Sequence, residues 1–82
     1  MSGVQNSLRG LDLSKNTALT QVICFSNQLA SLTLGENSAL AYLICSDNKL
    51  SALDLSGCTA LLNLVCNGNR LSSLDLSANT AL

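Results

Sequence analysis

The side chains with the most chemistry to offer are four cysteines, Cys24, Cys45, Cys58 and Cys66. Three of them, Cys24, Cys45 and Cys66, recur every 21 residues, and Cys58 stands out of step. Each use of a thiol makes its own demand. A zinc site needs four ligands converging on one point, and an evenly spaced row of thiols without a single histidine does not converge. A nucleophilic thiol needs a cation or a helix terminus to lower its pKa, and neither stands beside Cys24, Cys45 or Cys66. A disulfide between successive members of the row is allowed by distance if they occupy neighbouring strands. Side chains on such strands point the same way, however, which gives a poor dihedral. The preferred reading is small core residues that tolerate an apolar, narrow interior. Cys58 lies in a turn and is expected to be the exposed thiol, open to intermolecular oxidation. No redox compartment follows from this.

The carboxylates form a second row, Asp12, Asp54 and Asp75, with Thr33 at the place between the first two. Calcium takes roughly 6–8 oxygens around a point, so a flat row reads better as a polar column that keeps its face in water. The serines have no histidine to serve as base. Lys15 and Lys49 sit in turn-like segments, and Gly35, Gly57 and Gly68 are single glycines, not a phosphate-binding loop. The sequence predicts no enzyme, no metal and no cofactor.

What positions these rows is a repeat. Leu8, Leu29, Leu50 and Leu71 are 21 apart, as are Leu11, Leu32, Leu53 and Leu74, then Leu13, Leu34, Leu55 and Leu76, and again Leu19, Leu40, Leu61 and Leu82. Val22, Leu43 and Leu64 keep the step, and so do Asn27, Asn48 and Asn69. The units are 8–28, 29–49, 50–70 and a partial 71–82, preceded by a segment 1–7 that reads as a thin or absent cap. Each unit contains LxxLxLxxN followed by LxxLxCxxN, halves of 11 and 10 residues. Apolar residues alternate with period two inside each half, which favours extended chain. Ser, Asn, Gly and Thr between them favour turns. A single unit leaves its leucines open above and below, and only stacked neighbours cover them. The expected fold is mainly β: a right-handed solenoid of about three and a half coils, with short parallel strands on two faces about 4.8 Å from coil to coil.

The asparagines suit such a stack. Turns that bend inward bury backbone groups, each costing roughly 1–3 kcal/mol if unpaired, and a side-chain amide both donates and accepts. Asn27, Asn48 and Asn69 are read as a structural ladder at one corner, alongside the Cys24, Cys45 and Cys66 column. Asn16, Asn37 and Asn79 are the same device at the other corner, where Cys58 interrupts the column and predicts a looser turn. A ligand-binding role for these amides is the less favoured alternative.

With the cysteine column, the Leu-Asp-Leu triplets and the Asn-Thr-x-Leu turns in view, residues 8–82 resemble the bacterial leucine-rich-repeat class with nested ten- and eleven-residue periodicity. The internalin with a cysteine ladder belongs to that class. The resemblance implies a binding role without catalysis and an extracellular or cell-surface location, although Met1 to Gly10 carries no export signal. The chain departs from the class in having few repeats and no distinct caps.

Binding in such a fold lives on outward strand positions. On the cysteine side these are Gln21, Ile23 and Phe25, then Tyr42, Ile44 and Ser46, then Asn63, Val65 and Asn67. The middle column, Ile23, Ile44 and Val65, is aliphatic where the class commonly has Asp, and Phe25 and Tyr42, the only aromatics, flank it. An outward apolar stripe marks an interface; β-propensity of exposed Ile and Val is the plainer alternative. Gln21, Ile23, Phe25, Tyr42, Ile44, Asn63 and Val65 are therefore the candidate residues for partner binding or self-association.

Composition narrows the partners. Eighty-two residues predict one domain. Hydrophobic residues at 48% and charged residues at 11% exclude a solvated disordered chain. A net charge of −1 with four Lys and Arg gives no basic patch for nucleic acid. No apolar run reaches the ~18–20 residues of a membrane span. The remaining partner is a protein or the chain itself. With open ends and few coils, and a last unit that reads as cut from a longer array or engineered, a dimer or larger assembly is expected, through the apolar strand face or the open ends. The function read from the sequence is a protein–protein interaction scaffold; the alternative is a self-assembling repeat fragment with no external ligand.

Overall fold

Alternating leucines force the backbone straight for a few residues at a time, and the polar stretches between them turn it. In the computed structural model, which describes residues 9–25 and 28–82, this gives five strands of three residues each. They are β1 (Gly10–Asp12), β2 (Gln21–Ile23), β3 (Ser31–Thr33), β4 (Tyr42–Ile44) and β5 (Asn63–Val65). Among the described residues there is no helix. Asn27, expected in the corner ladder, the leading leucine at position 8 and the segment 1–7 lie outside the described residues.

The strands form two parallel sheets. One pairs β1 with β3, and the other runs β2-β4-β5. Every pair is in the register the repeat demands: Leu11 opposite Leu32, Val22 opposite Leu43, Leu43 opposite Leu64. Main-chain bonds continue the pairing past the strand ends, from Leu13 N–H to Thr33 O at 2.8 Å, Cys24 N–H to Ile44 O at 2.9 Å and Cys45 N–H to Val65 O at 2.8 Å. Parallel strands cannot be joined by a tight hairpin. The chain instead crosses from one sheet to the other and back before it pairs, so neighbours in a sheet are always one 21-residue unit apart.

The alternation sends one side chain in two into the space between the sheets. Leu13, Val22, Cys24, Leu29, Leu32, Leu34, Leu40, Leu43, Cys45, Leu50, Leu53, Leu55, Cys58 and Leu61 form one buried cluster. Each buried Leu or Val contributes roughly 1.5–3 kcal/mol, so this single cluster is what holds short strands that would be unstable alone.

The expectation of strands on both faces in every unit is met only in part. On the leucine side the sheet stops at β3, and residues 52–54 and 73–75 lie outside any ladder. The paired strands set Asp12 opposite the neutral Thr33. In the following units Asp75 acts, as the smallest of several influences, against the ionised form of Asp54, and like charges facing each other across strands disfavour pairing of 52–54 with 73–75.

Candidate functional site

The β2-β4-β5 sheet places the candidate residues in rows. Gln21, Tyr42 and Asn63 align, and so do Ile23, Ile44 and Val65. Their neighbours Val22 and Leu43 are fully buried, so the rows face away from the core. Ile23, Phe25 and Ile44 are half-buried; Gln21 and Asn63 are exposed. Tyr42 is 43% and Val65 41% exposed. One exposed apolar residue next to this sheet escaped the sequence reading: Leu62, 50% exposed, directly before β5. Its signal was a change along a column, Thr20 to Ala41 to Leu62, in which size and apolarity increase.

Ser46 does not join the outward rows. It is buried, because the chain bends inward directly after Cys45 and the Ser46 carbonyl accepts from Asn48 Nδ2 at 3.2 Å. The bend passes through Asp47 with φ of 57°, and the equivalent residue of the next unit is Gly68 with φ of 73°. Glycine adopts this left-handed conformation without the steric cost that Asp47 bears, and a Cβ on Gly68 would also have to displace the Asp47 carboxylate and press on the Asp47 backbone.

Behind the sheet, Asn48 and Asn69 stitch the turns. Asn48 Nδ2 donates to Cys24 O and Cys45 O, both at 3.0 Å, while its Oδ1 accepts from Leu29 N–H at 3.2 Å. Asn69 repeats this one unit later, donating to Cys45 O and Cys66 O at 2.9 Å and accepting from Leu50 N–H at 3.0 Å. Each amide thus satisfies main-chain groups of its own unit and of the preceding one. The chemistry used is that of structure, and no polar atom of these two amides is left to hold a ligand.

The opposite corner is built differently. Turns there are closed by bonds three residues apart, such as Asn16 N–H to Leu13 O at 3.0 Å and Leu40 N–H to Asn37 O at 3.1 Å. Asn37 Nδ2 donates to Leu13 O and Leu34 O at 3.1 and 2.6 Å. Asn79 Nδ2 donates to Leu55 O and Cys58 O at 3.0 and 2.9 Å. Both amide oxygens, Asn37 Oδ1 and Asn79 Oδ1, are buried without a partner. Asn16 is exposed.

Cys58 corrects the expectation of an exposed thiol in a loose turn. It is 0% exposed. The turn is tight because Gly57, buried beside it, brings its Cα against the Gly35 carbonyl so closely that a Cβ would strike that oxygen. The carbonyl of Cys58 is in turn clamped by Asn79. A thiol donates weakly, but it fits in this narrow space.

The remaining thiols follow the row read from the sequence. Cys24 and Cys45 are buried and Cys66 is half-buried; all four cysteines are free thiols. Burial pushes the Cys45 thiol up to about 12, helped by Cys24 and Cys66 on either side. Burial also raises Cys24, and it raises Cys58 with smaller contributions from Asp54 and Glu36. Raised thiols stay protonated and are poor nucleophiles. Asp12, Asp54 and Asp75 are fully exposed, with carboxyls held below the usual range by Ser14, Ser56 and Ser77. In each case the following serine N–H donates to the carboxylate, at 2.9, 3.0 and 2.9 Å. Among the described residues, no three His, Cys, Asp or Glu side chains stand close enough to hold a metal ion. Among the described residues, no helix is long and apolar enough to cross a membrane. Comparison with known proteins finds no family model that matches the chain, no significantly similar curated protein and no significantly similar solved structure.

Proposed function

We propose that the chain is a right-handed leucine-rich-repeat solenoid of about three and a half coils that serves as a non-enzymatic protein-interaction scaffold. The 21-residue offset of every strand pair supports the stacked-coil reading. The observation that carries the function is the row Ile23, Ile44 and Val65 on the outer side of the three-stranded sheet, with Tyr42 exposed in the adjacent row. Strand propensity alone could be met by β-branched polar residues, as Thr33 meets it in the other sheet. An aliphatic row with an exposed tyrosine, edged by Gln21 and Asn63, has the apolar centre and polar rim of a protein interface. The partner is a protein surface with its own apolar patch. Thiols held protonated and carboxylates spent on turns support the absence of catalysis.

The test is selection from a displayed peptide library, with far-UV circular dichroism confirming that each variant is folded. The native chain should enrich sequences with apolar segments. Ile44→Asp should lose at least nine-tenths of that enrichment, while Asp54→Ser on the other face keeps it. Identical enrichment by the two variants removes the role of this face.

A further inference from the structure

Three thiols, none in a disulfide, stand in one column of the three-stranded sheet. Val22, Leu43 and Leu64 pair strand to strand, and Cys24, Cys45 and Cys66 each follow two residues later. Main-chain bonds hold that register past the strand ends, from Cys24 N–H to Ile44 O and from Cys45 N–H to Val65 O. The same alternation that buries Val22 and Leu43 turns the thiols inward, with Cys24 2% and Cys45 0% exposed. Successive thiols are therefore one strand spacing apart, about 4.8 Å, and Cys24 and Cys66 about twice that. The outward binding face makes no use of them.

Distance decides what such a column can hold. A disulfide needs its sulfurs about 2.0 Å apart, so two neighbours would have to leave the stack to form one. Zinc needs four ligands around a point, and among the described residues no three such groups converge. An ion held in line between two thiolates needs two metal–sulfur bonds of about 2.3 Å, or about 4.6 Å from sulfur to sulfur. That is the spacing of the column, within the play of a side chain. Charge decides the valence. The thiols share one buried cluster with Val22, Leu29, Leu43 and Leu50, where an uncompensated charge is costly. Two thiol protons exchanged for one divalent ion leave that interior neutral, whereas a monovalent ion would leave a negative charge behind. The soft divalent ion that is content with two ligands in line is mercury(II).

We infer that the column is a binding site for mercury(II), held in line between two successive thiolates, with Cys45 common to both possible pairs. On binding, two S–H bonds break, two sulfur–metal bonds form and two protons leave to solvent; no electron is transferred. Burial pushes the Cys45 thiol up to about 12, so the ion must displace a firmly held proton, which soft cations do at a thiol and hard ones do not. Because two protons are released, affinity should rise by about a hundredfold per pH unit in neutral solution.

Equilibrium dialysis of the reduced chain against mercury(II) chloride, with excess glutathione as a single-thiol competitor, tests this. The native chain should retain one ion. Cys45→Ala should lower the affinity at least a hundredfold, because the two column thiols that remain are two spacings apart. Cys24→Ala and Cys66→Ala should each still retain one ion, through the pair left intact, and Cys58→Ala, outside the column, should match the native chain. Far-UV circular dichroism checks that each variant is folded. X-ray absorption of the loaded native chain needs no variant and should show two sulfur neighbours. Three or four sulfurs overturn the inference. So does failure of the native chain to hold the ion against glutathione, or retention by folded Cys45→Ala equal to that of Cys24→Ala.

Discussion

The two turns that each unit makes use the same residue type and reach different ends. On the cysteine side, Asn48 donates to three carbonyls and accepts one N–H, so its amide is fully used. On the leucine side, Asn37 donates to two carbonyls and its oxygen is buried unpaired. The first turn is held across units by the amide bonds from Asn48 to Cys24 O and from Asn69 to Cys45 O, and within the unit by Lys49 N–H to Leu29 O and Arg70 N–H to Leu50 O, both at 2.8 Å. The second combines cross-unit amide bonds, from Asn37 to Leu13 O and from Asn79 to Leu55 O, with main-chain bonds three residues apart within the unit. Both corners therefore couple neighbouring units, and what differs is the amide oxygen, paired with a main-chain N–H on the cysteine side and unpaired on the leucine side. At position 58 the turn closes without an amide, through Cys58 N–H to Leu55 O at 3.0 Å and Leu61 N–H to Cys58 O at 3.3 Å. The sheets differ as well, with three strands on the cysteine side and two on the other.

That contrast can be broken most directly at the amides. We predict that Asn48→Ala costs about 3 kcal/mol, since it strands the buried Leu29 N–H and Ser46 O together. Asn37→Ala should cost about 1 kcal/mol, because Leu13 O keeps its bond from Asn16 N–H and an unpaired oxygen leaves with the amide. Against a total stability of about 4–12 kcal/mol for this length, the first variant is close to unfolding and the second is not. Urea denaturation measures both, and equal losses would mean the corners are equivalent.

Next in size is a loss of stability in alkali. A cysteine in the unfolded chain titrates near 9.0, and folded Cys45 holds its proton to about 12. Between these values the folded state binds more protons than the unfolded one, so stability falls as pH rises. The melting temperature should be flat below pH 9 and decline above it. Cys45→Ala should flatten that decline more than Cys58→Ala does, because Cys45 alone of the two is flanked by other thiols. Steeper decline in Cys45→Ala would reverse the assignment.

A gentler probe is thiol labelling of the native protein. Cys66 should react first, and Cys58 only as fast as the chain unfolds, in step with Cys24 and Cys45. Fast labelling of Cys58 would show that the leucine-side turn opens locally. The smallest effect is expected in acid. The carboxyls of Asp12, Asp54 and Asp75 sit below 3.8 through their serine bonds. Their stabilisation is complete above that value and disappears as pH falls through the lower folded one. Full exposure keeps it slight, and Asp54→Asn should make the acid limb of the stability curve only marginally shallower.

The strand positions and the inward columns were legible because both are consequences of period. Alternation within Gln21–Ile23 and Tyr42–Ile44 says which residue faces in, and the 21-residue step says which residues align. The candidate rows Gln21–Tyr42–Asn63 and Ile23–Ile44–Val65 follow from those two facts alone and are the rows observed. Cys58 and Ser46 depart from expectation for different reasons. Cys58 stands in a segment whose composition says turn, and turns are ordinarily at the surface; Ser46 is placed outward by continuing the two-residue alternation past Cys45, although the strand ends at Ile44. Here the turns fold inward, and burial follows from the approach of Gly57 to the Gly35 carbonyl and from the reach of Asn48.

The sequence by itself determined the period, the identity of every inward column and the register of the strands, since each is a property of spacing along one chain. The tertiary structure alone decided which amide oxygens find a donor, where the leucine-side sheet ends and which leucines stay uncovered. Those outcomes depend on distances between units, which spacing along the chain does not fix: Asn48 Oδ1 meets an N–H and Asn37 Oδ1 meets none.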